Sequence, residues 1–161
     1  MTKEQALLRL QAQCSRSEYC TGQIYEKLTR WAAKGIFCSE DNEWVINLLI
    51  ADKFVDDYRF ACAYTRDKFK ISGWGKRKIE YQLRRLRVPT TIINMAVQEN
   101  CINSTKTNDM LLKLVERKWN SLKKEELPAQ KKIKVLRFAI GRGFEYDEIM
   151  AALLSVYNFD K

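Results

Sequence analysis

The side chains best suited to chemistry in this 161-residue chain are five cysteines, Cys14, Cys20, Cys38, Cys62 and Cys101, and there is no histidine at all. The cysteine count is odd and no pair is spaced as Cys-x-x-Cys. Without imidazole partners the set offers neither a common zinc site nor a Cys-His nucleophile, and a Ser-His-Asp triad is excluded outright. No Gly-x-x-x-x-Gly-Lys-Ser/Thr phosphate loop occurs, and Gly73-Trp74-Gly75-Lys76 has too few glycines and no preceding strand to replace one. No paired carboxylates fall on an inward helix face. The expectation is a protein that is not an enzyme and uses no metal and no cofactor. Its cysteines are expected to be buried free thiols in a reducing compartment.

Charge is the feature that remains. Lys and Arg number 29 against 20 Asp and Glu, for a formal net charge of +9. The excess is uneven: residues 1–55 carry 7 basic and 7 acidic side chains, 56–105 carry 10 and 5, and 106–161 carry 12 and 8. The densest run holds Arg66, Lys68, Lys70, Lys76, Arg77, Lys78, Arg84, Arg85 and Arg87 against only Asp67 and Glu80. Like charges three or four residues apart on a helix repel by about 0.2–0.5 kcal/mol per pair, so a one-sided face points to an anionic partner. On the helix whose core face is Ile79, Leu83 and Leu86, Lys76, Arg84 and Arg87 line one flank and Arg77 and Arg85 the other. A second basic group, Lys131, Lys132, Lys134, Arg137 and Arg142, is offset by acidic neighbours. Trp74 could stack on a base or enter a partner's pocket, but packing at a seam between two helices is the preferred reading. Trp31, Trp44 and Trp119 lie on apolar stripes and are expected in the core. Asp56, Asp57 and Arg59 read as caps and local ion pairs.

The elements that must position these residues are helices. Six Gly and two Pro leave little punctuation for a β-sandwich, and 46% hydrophobic residues argue against disorder. Apolar residues recur at helical spacing along nearly the whole chain. The stripes are Leu7, Leu10 and Cys14; Ile24, Leu28 and Trp31; Trp44, Val45, Leu48 and Leu49; then Phe60, Ala61, Tyr64 and Ile71. Asp56 is placed to cap that fourth helix, with Val55 and Phe60 as a hydrophobic staple. Further stripes are Ile79, Leu83 and Leu86; Ile92, Ile93, Ala96 and Val97; Leu111, Leu114, Val115, Trp119 and Leu122; Ile133, Leu136 and Ile140; and Ile149, Leu153 and Val156. Val88-Pro89 and Pro128 mark helix starts, and residues 100–108 read as a polar linker.

These nine helices fall into three groups, 1–55, 56–105 and 106–161, with a period of about 50 residues. Ile36, Val88 or Phe144 follows each second helix and is expected to plug its own module. The expected fold is all-α: an elongated, curved array of three tandem three-helix repeats. The N-terminus lacks the pattern of a signal peptide, and Val45 to Ala51 is too short to span a bilayer. A cytoplasmic monomer with no membrane partner is expected.

The stretch Phe54-Val55-Asp56-Asp57-Tyr58-Arg59-Phe60-Ala61, followed by Tyr64, Arg66 and Lys68 and then by Gly75, Ile79, Leu83 and Val88, resembles the central signature of the bacterial RecX regulators. That family's three tandem three-helix repeats would cover residues 1–161, with the central repeat the specific part. Trp74 departs from the usual turn, and Cys20-Thr21-Gly22 stands where a Ser-led helix start is commoner. The resemblance implies a regulator of the RecA recombinase. Such a protein binds along the groove of RecA filaments on single-stranded DNA. It inhibits filament growth, ATP hydrolysis, strand exchange and the co-protease activity that triggers the SOS response. The nine cations from Arg66 to Arg87 are the expected contact surface. The alternative is direct binding of single- or double-stranded DNA by helix-turn-helix-like modules. A base-reading helix combines Asn, Gln and Arg, whereas this one offers mostly Lys and Arg with Gln82.

Overall fold

The computed structural model describes residues 1–101, 104–124 and 127–157. Among them are nine α-helices and one short 3-10 turn (Ser39–Asp41), and no strand. The helices are α1 (Lys3–Cys14), α2 (Thr21–Ala33), α3 (Asn42–Ala51), α4 (Asp57–Lys70), α5 (Lys76–Arg85), α6 (Thr90–Cys101), α7 (Ser104–Asn120), α8 (Pro128–Gly141) and α9 (Tyr146–Val156). Most of the expected linker at 100–108 is therefore helix, because Ser, Thr and Asn open helices as readily as they form loops. Its residues 102–103 lie outside the described residues.

The chain packs as two compact units, Met1–Tyr64 with Gln82–Ala96, and Thr65–Tyr81 with Val97–Lys161. In the first, α1 and α2 pack on α3 around Ala6, Leu10, Ile24, Leu28, Val45 and Leu49. Thr2 and Gln5 form a reciprocal cap at the start of α1. Asp56 caps α4 as expected, its Oδ1 accepting from the Arg59 amide at 2.9 Å, and Val55 and Phe60 on either side are both buried. Trp44 departs from expectation: it sits at the surface, 37% exposed, with the Lys3 ammonium 4.8 Å from its ring. A broad indole satisfied by a cation on one face need not enter the core.

In the second unit α7, α8 and α9 pack on one another around Leu111, Val115, Val135, Ala139, Ile149 and Leu153. The expected stripe on α8 is wrong by one face. Ile133 and Ile140 are each 50% exposed, while Lys131, Val135 and Ala139 are buried. The run from Ile133 to Ile140 is so apolar that two faces fit helical spacing equally well. Packing against α7 and α9 selects the face with the smaller side chains. Ile71 lies past the end of α4 and is 81% exposed, so it does not extend that helix's stripe.

Helices α2, α5 and α8 end alike. Gly35, Arg87 and Gly143 take left-handed φ of 67°, 61° and 93°. Their amides return to Ala32, Arg84 and Ile140, and the next amides, of Ile36, Val88 and Phe144, return to Trp31, Leu83 and Ala139. This is the Schellman arrangement, which satisfies carbonyls that would otherwise be orphaned. Val88 and Phe144 then enter the core as expected, but Ile36 is 42% exposed and Phe37 is buried in its place. The larger ring removes more apolar area from water than its neighbour would.

Both units also rest on glycine at a close backbone approach. A Cβ on Gly22 would lie 2.1 Å from the Leu86 carbonyl oxygen, just beyond α5. A Cβ on Gly75 would lie 2.4 Å from the Gly143 carbonyl, just beyond α8. Through this second approach the Gly75 and Arg77 amides donate to the Arg142 and Gly143 carbonyls at 2.7 and 3.2 Å. Two amides at the N-terminal end of α5, where no intrahelical acceptor exists, are thereby satisfied by carbonyls at the C-terminal end of α8.

None of the five cysteines is in a disulfide, but only Cys20 and Cys101 are buried; Cys38 is exposed and Cys14 and Cys62 are half-buried. Burial pushes the Cys101 thiol up to about 11.

Two predictions follow from this packing. Gly75→Ala and Gly143→Ala each cost several kcal/mol in urea unfolding, because backbone must move. Gly35→Ala, which meets nothing within 4 Å but keeps a positive φ, costs only about 1 kcal/mol, and Gly141→Ala is neutral or slightly stabilising. With a disulfide reagent at pH 8, Cys38 reacts first, and Cys20 and Cys101 react only on unfolding. The share of stability that Cys101 contributes by staying protonated is complete below pH 9 and lost as pH rises through about 11.

Candidate polyanion-binding surfaces

In the first unit the acidic pair of the signature is scaffold. Asp56 caps its own helix, and Asp57 reaches back 36 residues so that its Oδ1 accepts from the Thr21 amide at 2.7 Å. That bond supplies an oxygen to the start of α2, whose N-cap residue, Cys20, has none of its own. The Cys20 thiol instead donates to the Leu86 carbonyl at 3.5 Å, and the Gln23 side chain accepts from the Cys20 amide. Arg59 Nε donates to both Glu18 oxygens at 2.8 and 3.0 Å, and its Nη2 reaches the Lys53 carbonyl at 3.2 Å. The expected capping and ion pairing are present, but they tie distant segments together.

Arg84, Arg85 and Arg87 belong to this unit and are exposed. Arg87 is not on a flank of α5, because the helix ends at Arg85 and Arg87 is the left-handed residue of its cap. Its guanidinium lies 5.7 Å from the Tyr25 ring, beside a depression of about 360 Å³ also lined by Glu26, Thr29 and Arg30.

The second unit holds Arg66, Lys68, Lys70, Lys76, Arg77 and Lys78. The half-buried Trp74 ring has the Lys68 and Lys78 ammonium groups at 4.9 and 4.5 Å, so it packs at the seam between α4 and α5 and brings those two cations together. Lys78 Nζ also donates to the Gly141 carbonyl at 3.3 Å. Arg77 pairs with Glu145 at 3.3 Å and Lys76 with Glu80 at 3.7 Å. An exposed pair such as Arg77–Glu145 holds by about 1 kcal/mol or less, so Arg77 can be recruited by a competing anion, whereas Lys76 pairs with a half-buried carboxylate. Arg66 and Lys70 are exposed.

Sequence reasoning missed a groove of about 580 Å³ in this unit, where Lys70 and the 71–73 turn face Lys113, Arg117 and Lys118 of α7 and Arg142. The available signal was the like-charged pair Lys113 and Arg117, four apart on one helix face. From the second basic group only Arg142 lines the groove; Lys131 is buried with its ammonium 5.5 Å from the Trp119 ring. Trp119 itself packs on Tyr157 with ring centroids 4.2 Å apart. Among the described residues no group of three side chains is placed to hold a metal ion, and no helix is long and apolar enough to cross a membrane.

Comparison with known proteins agrees with the signature. Residues 56–97 match the family model described as RecX, second three-helix domain, and residues 107–153 match RecX, third three-helix domain. Regulatory protein RecX of Clostridium tetani is 33% identical over 132 residues, 81% of this chain and 57% of that protein. Regulatory protein RecX of Vibrio campbellii is 28% identical over 154 residues, 95% of this chain and 90% of that protein. The chain thus spans little more than half the length of some curated relatives and nearly all of others. The crystal structure of RecX from Lactobacillus salivarius superposes with a TM-score of 0.81 at 18% identity, covering 96% of each chain, a likeness of fold.

The capping geometry predicts that Asp57→Ala lowers unfolding stability by about 1 kcal/mol. Adding Cys20→Ser recovers part of that loss, since a hydroxyl at the N-cap can accept from the first turn. A double-mutant cycle in urea reads the coupling between the two positions.

Proposed function

The chain belongs to the RecX family of regulatory proteins, and on that premise we propose that it binds RecA filaments on single-stranded DNA and restrains their growth. Slower ATP hydrolysis, strand exchange and SOS co-protease activity follow from that restraint. The carrying observation is the run of nine cations from Arg66 to Arg87, in which Arg77 pairs with Glu145 and Lys76 with Glu80. Among the described residues Arg66, Lys70 and Arg85 have no carboxylate within ion-pair distance. A nucleoprotein filament carries the opposite charge, and regulation by occupancy needs cationic surface and no catalytic group.

The proposed contact residues are Arg66, Lys68, Lys70, Lys76, Arg77 and Lys78 on one unit and Arg84, Arg85 and Arg87 on the other. The division into three-helix repeats at 1–55, 56–105 and 106–161 is part of this proposal, and the family matches at 56–97 and 107–153 support its second and third members. The protein acts as a cytoplasmic monomer.

The test is single-stranded-DNA-dependent ATP hydrolysis by the host's RecA, with this protein added at too low a level to coat the DNA. The steady rate falls if filaments are the target. An unchanged rate with folded protein overturns the proposal and leaves direct DNA binding as the better account. Replacing Arg77, Arg84 and Arg85 together with Ala weakens inhibition and flattens the salt dependence of binding by about two units of slope, with helicity unchanged by circular dichroism.

A further inference from the structure

The groove of the second unit combines cations with aliphatic surface. Its charged lining is cationic, Lys70, Lys113, Arg117, Lys118 and Arg142, with no carboxylate among the described residues that line it. Lys70, Lys113 and Arg117 have no carboxylate within ion-pair distance among the described residues. Arg142 is held in place by its Nη1, which donates to the Ser72 carbonyl at 2.7 Å. Between these cations the surface is aliphatic. Met110 and Leu114 contribute from α7, and Ile71, 81% exposed, stands in the adjoining turn. Phe138, the one aromatic among the lining residues, already has Lys118 and Arg142 within 5.1 and 5.2 Å of its ring.

A strand of nucleic acid wants cations for its phosphates and open aromatic faces for its bases, and the one ring here is engaged. An acidic peptide carrying an aliphatic residue wants cations around an apolar patch, which is what the groove presents. A volume of about 580 Å³ is within the usual range for a built pocket. We propose that this groove docks an acidic peptide segment of a partner protein. An aliphatic side chain sits against Ile71, Met110 and Leu114, and the flanking carboxylates pair with Lys113, Arg117 and Arg142. This site lies outside the signature, and only Lys70 is shared with the surface proposed above.

Fluorescence anisotropy of the full chain with a labelled Glu-Asp-Glu-Leu-Glu-Asp-Glu peptide tests the assignment. The same peptide with Ser for Leu, and a short labelled oligothymidylate, serve as comparisons. The Leu peptide binds, and the Ser peptide binds roughly tenfold more weakly. Lys113→Glu combined with Arg117→Glu lowers peptide affinity more than tenfold with the thermal melt unchanged, as all these side chains are exposed. Ile71→Asp, at a position with almost nothing packed on it, costs about tenfold by itself. Absence of peptide binding, or binding indifferent to Ile71→Asp and to the charge reversals, overturns the proposal. Oligothymidylate binding that the charge reversals abolish and Ile71→Asp leaves intact also overturns it, making the groove a nucleic-acid site. Failure of the RecA assay with peptide binding preserved would reject only the filament reading.

Discussion

Backbone packed directly on backbone is the constraint from which much of the structure follows. Where Gly75 meets Gly143 there is no room for a Cβ, and the Gly75 and Arg77 amides find acceptors on the carbonyls that close α8. Gly22 meets the Leu86 carbonyl in the same manner within the other unit. Where α5 begins against the end of α8, amides without intrahelical partners face carbonyls without them; where α2 begins against the end of α5, the Leu86 carbonyl accepts from the Cys20 thiol instead. Side-chain packing alone tolerates sliding by fractions of an ångström; a hydrogen-bonded backbone contact at glycine does not.

The Asp-Asp-x-Arg signature works toward the same end. Asp56 starts α4, Asp57 starts α2, and Arg59 holds Glu18 and the Lys53 carbonyl. With those groups engaged inside the unit, Asp56, Asp57 and Arg59 are architectural. The cations from Arg66 to Arg87 take no part in those contacts. On the function proposed above, what specifies the fold is separate from what meets a partner.

That separation bears on how the basic surface is used. Lys68 and Lys78 are drawn to Trp74, and Arg87 is fixed by the backbone cap it forms. Arg66, Lys70 and Arg85 extend from helices with no carboxylate within ion-pair distance among the described residues. A mixture of positioned and extended cations suits long-range attraction with little demand for one exact pose, as an irregular polyanion requires. The groove beside α7 differs because its cations surround aliphatic surface, which adds selectivity to attraction.

Much of this protein is legible from its residues alone. The all-helical class, the Asp56 cap, the Pro128 start, the glycine ends of α2 and α8 and the basic run are local matters, decided by side-chain spacing and by backbone groups within a few residues. Tertiary structure decided the rest. The run from Ile133 to Ile140 is apolar enough for two stripes, and only α7 and α9 could choose between them. Ile36 and Phe37 compete for one seat, and the larger ring takes it. Arg87 looks helical by spacing, yet the Leu83 and Arg84 carbonyls need amides to close α5, and a left-handed residue there supplies them. The reach of Asp57 to Thr21 and the groove that joins Lys70, Lys113 and Arg142 unite groups separated by tens of residues. Local sequence carries no distance between such groups, and only the packing of helices sets it.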